Sequence, residues 1–233
     1  MAAHPIPEAI AAAREVIAGA CARSGRAAGE VTLLAVSKTV APEEIRAAYA
    51  CGLRHFGENR VQERAAKQAA LADLAIEWHL LGPLQSNKAA RALDLFDCIE
   101  TVDSLALAER LSRLTPRPLR VLMEINIASE PQKHGVAPAQ ALELAQAVSA
   151  LPQVRLSGVM GVPPAAADPE NTRPYFRALA ELSGRIRAAL TPAPGRWDLS
   201  MGMSHDYRVA IEEGATMVRL GTALFGARPS FSP

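Results

Sequence analysis

Cysteine is scarce in this sequence: Cys21, Cys51 and Cys98 are odd in number and far apart. None stands with a histidine at metal-ligand spacing. The pattern predicts neither a disulfide framework nor a zinc site, and it places the chain in a reducing compartment. Excess charge is missing too, since 25 Lys and Arg face 24 Asp and Glu for a formal charge of +1. No electrostatic footprint invites nucleic acid or an anionic membrane as a partner. Long apolar runs are absent, and nothing approaches the ~20 residues that span a bilayer. The stretch "EVIAGACA" ends in small residues as an export signal does. Yet no Lys or Arg precedes the apolar segment, and Arg14 and Glu15 interrupt it. A cleaved signal is therefore not expected. Ile6, Ile10, Ala13, Val16 and Ile17 follow helical spacing instead, which predicts an amphipathic helix. No long low-complexity linker divides the chain. Residues 1–233 read as one cytoplasmic domain.

What the chain does have is alternation. Strand-like runs occupy 31–38, 53–59, 76–82, 98–103, 119–126, 154–163, 197–204 and 217–226. Helix-forming stretches rich in Ala, Leu, Glu and Arg lie between, for example at 42–51, 60–74, 104–114, 138–150, 172–190 and 206–214. Pro42, Pro138 and Pro174 stand where first-turn prolines belong, and Gly52 and Gly214 where helix caps belong. Strands separated by crossover helices pair in parallel. Eight of them in 233 residues, 49% hydrophobic, suit an α/β fold: a single (β/α)8 TIM-like barrel led by an extra N-terminal helix. A doubly wound open sheet would use the same elements.

In a barrel, chemistry gathers at the C-terminal ends of the strands. Lys38 ends the first run, Glu58 and Asn59 the second, and Ser204 the seventh. Arg219, Gly221 and Thr222 lie on or just past the eighth. Closure makes runs seven, eight, one and two neighbours, so these residues would share one mouth. Lys38 has two readings: an ammonium lifted into water on an apolar stem, or an amine made neutral by an apolar wall and able to form a Schiff base. "RLGTALFG" also has two. Its Gly-Thr either serves backbone geometry and a helix cap, or offers N–H groups and a hydroxyl to an anion. Taken together, a phosphate holder facing a Schiff-base lysine implies a phosphorylated aldehyde, and pyridoxal 5′-phosphate is the obvious one. Arg219, which keeps its proton, would hold a pyridine nitrogen unprotonated.

At these residues the chain resembles the pyridoxal phosphate homeostasis protein family. The resemblance runs from about Val31 to Arg228 through "LLAVSKT", "WHLLGPLQSNK", "EINIASEPQKHG", "LSGVMGVP" and "LSMGMSHDYRVAIEEGATMVRLGTALFG". It implies a barrel similar to the alanine racemase barrel domain. It also implies that Lys38 carries pyridoxal phosphate, that Ser204, Gly221 and Thr222 hold the phosphate, that Arg219 faces the pyridine nitrogen, and that Asn59 lines the pocket near the ring. The implied role is cofactor storage, buffering or delivery in vitamin B6 and amino-acid homeostasis, with apo-enzymes that use the cofactor as possible partners. Arg60 departs from the tyrosine that many members carry after "GEN".

A small enzyme of the alanine racemase type is the alternative. Such a racemase needs a second acid/base, typically a tyrosine from a separate domain. The chain ends soon after the eighth run, and Tyr49, Tyr175 and Tyr207 fall in expected helices, with Tyr207 nearest the mouth. A binding protein without catalysis, and a monomer, is the expectation. His79, within an apolar run, is expected to be a hydrogen-bonded structural histidine. Lys88 and Lys133 are expected to be solvated, Ser200, Met201 and Met203 to pack near the phosphate loop with the methionines as core residues, and His55 and His205 to lack a catalytic partner.

Overall fold

In the computed structural model, which describes residues 5–191 and 195–226, eight parallel strands close into a barrel in chain order. They are β1 (Thr32–Val36), β2 (His55–Glu58), β3 (Glu77–Leu80), β4 (Cys98–Val102), β5 (Leu119–Ile125), β6 (Val154–Gly161), β7 (Asp198–Met203) and β8 (Met217–Leu220). Closure decides between the two sheets open to the sequence: Leu34 of β1 registers with Arg219 of β8 while Val36 registers with Gly57 of β2. An open sheet would leave unpaired edges. The ends of the expected domain, residues 1–4 and 227–233, lie outside the described residues.

Helices α1 (Ile6–Arg23), α2 (Pro42–Ala50), α3 (Val61–Lys67), α4 (Ala89–Leu93), α5 (Leu105–Leu114), α6 (Ala141–Ser149), α7 (Arg173–Ala189), α8 (Tyr207–Glu212) and α9 (Thr222–Phe225) cover the outside. Pro42 and Pro174 sit in the first turns of α2 and α7, and Gly52 and Gly214 take the positive φ that follows a helix end. Pro138 stands upstream of α6 rather than inside its first turn. Ile6, Ile10, Ala13 and Ile17 of α1 are buried, but Val16 is exposed, so the apolar stripe is narrower than its spacing implied. Beyond α1, Arg26 donates to the carbonyls of Ile211 and Ala215, caps the end of α8 and ties the N-terminal segment to the barrel.

Strand alternation creates two cores. Outward residues such as Ala35, Phe56, Trp78, Ile99, Val121 and Val218 pack with the helices in one large cluster. At ~1.5–3 kcal/mol per fully buried large apolar side chain, this shell is the main stabilising element. Inside the barrel, Cys98, Leu122 and Met160 form a second, small cluster. Leu34 and Leu81 also point inward, and a Cβ on Gly57 would collide with both. The rest of the interior is polar, which sets up the site.

Candidate functional site

Lys38 stands in the turn two residues beyond Val36, the last residue of β1, at the C-terminal end of the barrel. Its ladder position is held from outside. Glu58 accepts from the Ser37 hydroxyl at 2.8 Å and from Lys67 Nζ at 2.7 Å, and Lys67 also donates to the Ser37 carbonyl at 2.7 Å. Burial pushes the Glu58 carboxyl up despite these partners. The expectation that Glu58 joins the mouth is corrected by alternation: Gly57 faces the inward Leu34 and Leu81, so Glu58 faces the helix layer, where it meets Lys67 of α3 and braces the Lys38 turn. Thr39 follows with φ of 64°, a costly conformation for a β-branched residue, so the chain is forced to turn at the lysine.

Asn59 lies at the rim after β2. A Cβ on Gly82 would collide with the Asn59 carbonyl oxygen, so only glycine lets the loops after β2 and β3 meet there. Across the mouth, Met203 registers with Arg219, which brings Ser204 beside the end of β8. The Ser204 hydroxyl oxygen accepts from the backbone N–H groups of Gly221 and Ala223, both at 3.2 Å. Gly221 caps α9, while Thr222 opens it and is exposed. Lys38, Asn59, Ser204, Arg219, Gly221 and Thr222 thus belong to consecutive strands 7, 8, 1 and 2 of one barrel mouth.

Arg219 is buried below the rim. Its Nη1 donates to Ser200 Oγ at 2.7 Å and its Nη2 to the Gly161 carbonyl at 3.0 Å. Ser200 in turn donates to Glu100 Oε2 at 2.6 Å, and Glu100 Oε1 lies 2.6 Å from His79 Nδ1. Ser200, Glu100 and His79 are fully buried. Burial alone would raise Glu100, but His79, Arg219 and Ser200 hold its carboxyl below the ordinary range. Burial likewise opposes charge on His79, yet Cys98, Glu100 and Glu77 lift it well above the usual histidine value. This is an internal ion chain from the centre of the barrel to Arg219. His79 is hydrogen-bonded as its apolar surroundings predict. Ser200, expected near the phosphate loop, meets Glu100 and Arg219 inside the barrel, and Glu100 was not legible as a site residue, because only closure places β4 opposite β7 and β8.

Glu124 is a second residue the sequence did not mark, although it lies in the "EINIASEPQKHG" motif. Burial, then Asp103, push its carboxyl up to about 7, against weaker help from His134 and Arg219. Its folded form binds the proton more tightly than the unfolded chain does, so the stabilisation is complete below the ordinary carboxylate range and lost as pH rises through about 7. Glu124→Gln, a neutral isostere, should therefore gain on the wild type by up to roughly 3 kcal/mol between about pH 4.5 and 8, since each tenfold change in proton affinity is worth about 1.4 kcal/mol. Urea denaturation of the cofactor-free proteins across that range tests it, and a pH-independent gap would refute it.

Other expectations fare differently. Lys133 is half-buried and pairs with Glu130 at 2.5 Å, and Lys88 is half-buried, so neither is simply solvated. Met201 is buried and Met203 exposed. His205 Nε2 meets the Ala167 carbonyl at 3.1 Å. Tyr49 carries Arg54 over its ring, and burial raises the Tyr207 phenol above its ordinary value.

A (β/α)8 barrel with a lysine after its first strand and a Gly-Thr helix start after its eighth defines a class, and the family described as alanine racemase, N-terminal domain, matches residues 20–229. A pyridoxal phosphate homeostasis protein of Aquifex aeolicus is 45% identical over 92% of this chain and 94% of its own length. One of Pseudomonas aeruginosa is 44% identical over 98% of each. The structure of PipY from Synechococcus elongatus PCC7942 with PLP bound is 41% identical, covers 90% of this chain and all of its own, and superposes with a TM-score of 0.78. The chain belongs to the pyridoxal phosphate homeostasis protein family.

Proposed function

We propose that this chain binds pyridoxal 5′-phosphate, with Lys38 joined to the aldehyde carbon, and stores, buffers or delivers it in vitamin B6 and amino-acid homeostasis. The carrying observation is the convergence of Lys38, the Gly221–Thr222 turn and buried Arg219 on adjoining strands of one mouth. The donor set fits the group: an amine for an aldehyde, backbone N–H groups and a hydroxyl for a phosphate, and a donor-only cation for a ring nitrogen. In this reading Asn59, at the rim after β2, lines the ring. The Synechococcus relative, 41% identical, holds PLP.

When bound, the cofactor supplies an electrophilic carbon and an electron sink whose strength depends on ring-nitrogen protonation. Arg219 cannot donate a proton outright, so it keeps the sink weak. Tyr207, at the start of α8 after β7, has its phenol raised by burial, so little of it is ionised to act as a base. A carrier without catalysis of its own fits these features better than a racemase. We read it as a monomer acting in the cytoplasm, with cofactor-requiring apo-enzymes as recipients. Among the described residues no helix is long and apolar enough to cross a membrane.

The test is deuterium exchange at the α carbon of alanine, followed by proton NMR. The loaded protein should exchange no faster than free pyridoxal phosphate under matched conditions. Turnover that vanishes in Lys38→Ala would establish an enzyme instead.

The phosphate loop makes a separate prediction. Thr222→Ala, alone or with Ser204→Ala, should weaken pyridoxal phosphate far more than unphosphorylated pyridoxal, because each lost hydrogen bond to a charged acceptor costs about 1.5–3 kcal/mol. Thr222 is the cleaner probe, since Ser204 also accepts from two loop amides. Equal losses for both aldehydes would assign the hydroxyls to the fold.

A further inference from the structure

Toward the base of the barrel, away from the mouth, His55 and Glu77, the first residues of β2 and β3, meet His79 two residues further along β3. Among the described residues, His55, Glu77 and His79 form one group of metal-ligating side chains, and His79, Cys98 and Glu100 a second that shares His79. His55 Nδ1 lies 3.4 Å from His79 Nε2, Glu77 Oε2 lies 3.5 Å from His55 Nδ1, and Glu77 Oε1 lies 3.4 Å from His79 Nε2. We propose that His55, Glu77 and His79 form a binding site for a divalent transition-metal ion such as zinc.

The spacing carries the inference. Ligands about 2.1 Å from a tetrahedral ion stand about 3.4 Å apart, which matches the two imidazole nitrogens, while Glu77 turns a different oxygen toward each of them and one oxygen lies within 4.8 Å of both. The free nitrogen of His79 is already committed as a metal site requires: its Nδ1 donates to Glu100 at 2.6 Å, which leaves Nε2 to the ion. The two imidazoles select zinc, cobalt, nickel or copper over magnesium and calcium. His55 and Glu77 keep 23% and 31% of their side-chain surface exposed, so an ion has a path from solvent and an open position for water. On binding, any proton on His79 Nε2 leaves to solvent while the Nδ1 proton stays in its hydrogen bond to Glu100.

Arg120 holds the place of the cation in the metal-free protein. Its Nη1 lies 2.5 Å from Glu77 Oε1 and its Nη2 3.5 Å from His79 Nε2. Its own seat is imperfect, because its Nε is buried with no hydrogen-bond partner. Asp198 also attracts it and offers an alternative partner when an ion takes Glu77. Arg120 therefore competes with the ion and weakens the site without abolishing it.

The experiment uses the full-length, tag-free chain without added pyridoxal phosphate, stripped with chelator, then titrated with zinc chloride by calorimetry and with cobalt(II) by visible absorption. One zinc per chain and a tetrahedral cobalt spectrum are expected. His55→Asn and Glu77→Gln should each weaken zinc at least tenfold with unchanged circular dichroism, Glu100→Gln should weaken it about 10- to 100-fold, and Arg120→Met should tighten it. Absence of saturable zinc and cobalt binding by the wild type would overturn the site without recourse to any variant. So would zinc binding that is unchanged in folded His55→Asn and Glu77→Gln, which would place the ion elsewhere.

Discussion

Borohydride reduction of the protein loaded with pyridoxal phosphate should leave a single pyridoxyl group, and peptide mass mapping should find it on Lys38. The chain has four lysines. Lys67 is engaged by Glu58 and the Ser37 carbonyl, and Lys133 by Glu130 and the Pro163 carbonyl at 3.3 Å. Lys88 lines a groove with Asn59, Arg60, Gln62 and Gln85, formed by the loops after β2 and β3. Lys38 stands just past β1, and β1 pairs with β8, the strand that the Gly221–Thr222 turn follows. Lys38→Ala should abolish both the adduct and the long-wavelength absorbance of the loaded protein, while contacts at the phosphate loop retain some cofactor noncovalently. Mapping of the adduct to Lys88 or Lys133 in the wild type would remove Lys38 from its role.

Glu100→Ala should cost about 3–5 kcal/mol of folding stability, the usual penalty for leaving a buried charge without its partner. Glu100 lies between His79 and the Ser200–Arg219 pair, and two cationic side chains would be left facing one another in the barrel centre. Against a total of roughly 5–15 kcal/mol for a domain, the variant should still fold but unfold at much lower urea. Glu100→Gln should fall between, because an amide accepts from one neighbour but presents N–H groups to the other donor. A Glu100→Ala stability within about 1 kcal/mol of the wild type would show that the ion chain does not hold the barrel together.

The element pattern was legible for a simple reason. Apolar runs of strand length and Ala-rich helical stretches alternate, and that alternation is a local property of the chain. Boundaries were read too long where strands run into their loops: the run at 217–226 is a four-residue strand followed by the short helix α9. The helix at 60–74 stops at Lys67 and gives way to a 3₁₀ turn over Ala69–Leu71. Short helix α4 had no periodic signal of its own. The gathering of Lys38, Ser204, Arg219, Gly221 and Thr222 at one end of the barrel was legible because each lies near or just past the end of a strand, and closure puts such ends together.

By itself the sequence determined the eight β/α units, the helix leading them, and the motifs that mark family membership. Only the tertiary structure decided that Glu58 braces the lysine turn from outside while Asn59 faces the rim, because side-chain direction depends on the side of the pleat. Only closure brought Glu100 of β4 to Ser200 of β7, 100 positions away, and through it to Arg219. The same registry gathered His55, Glu77 and His79 at the base, where linear spacing showed no ligand cluster. Strand pairing sets neighbours by register across the sheet, and a one-dimensional pattern records periodicity along each strand but not which strands meet.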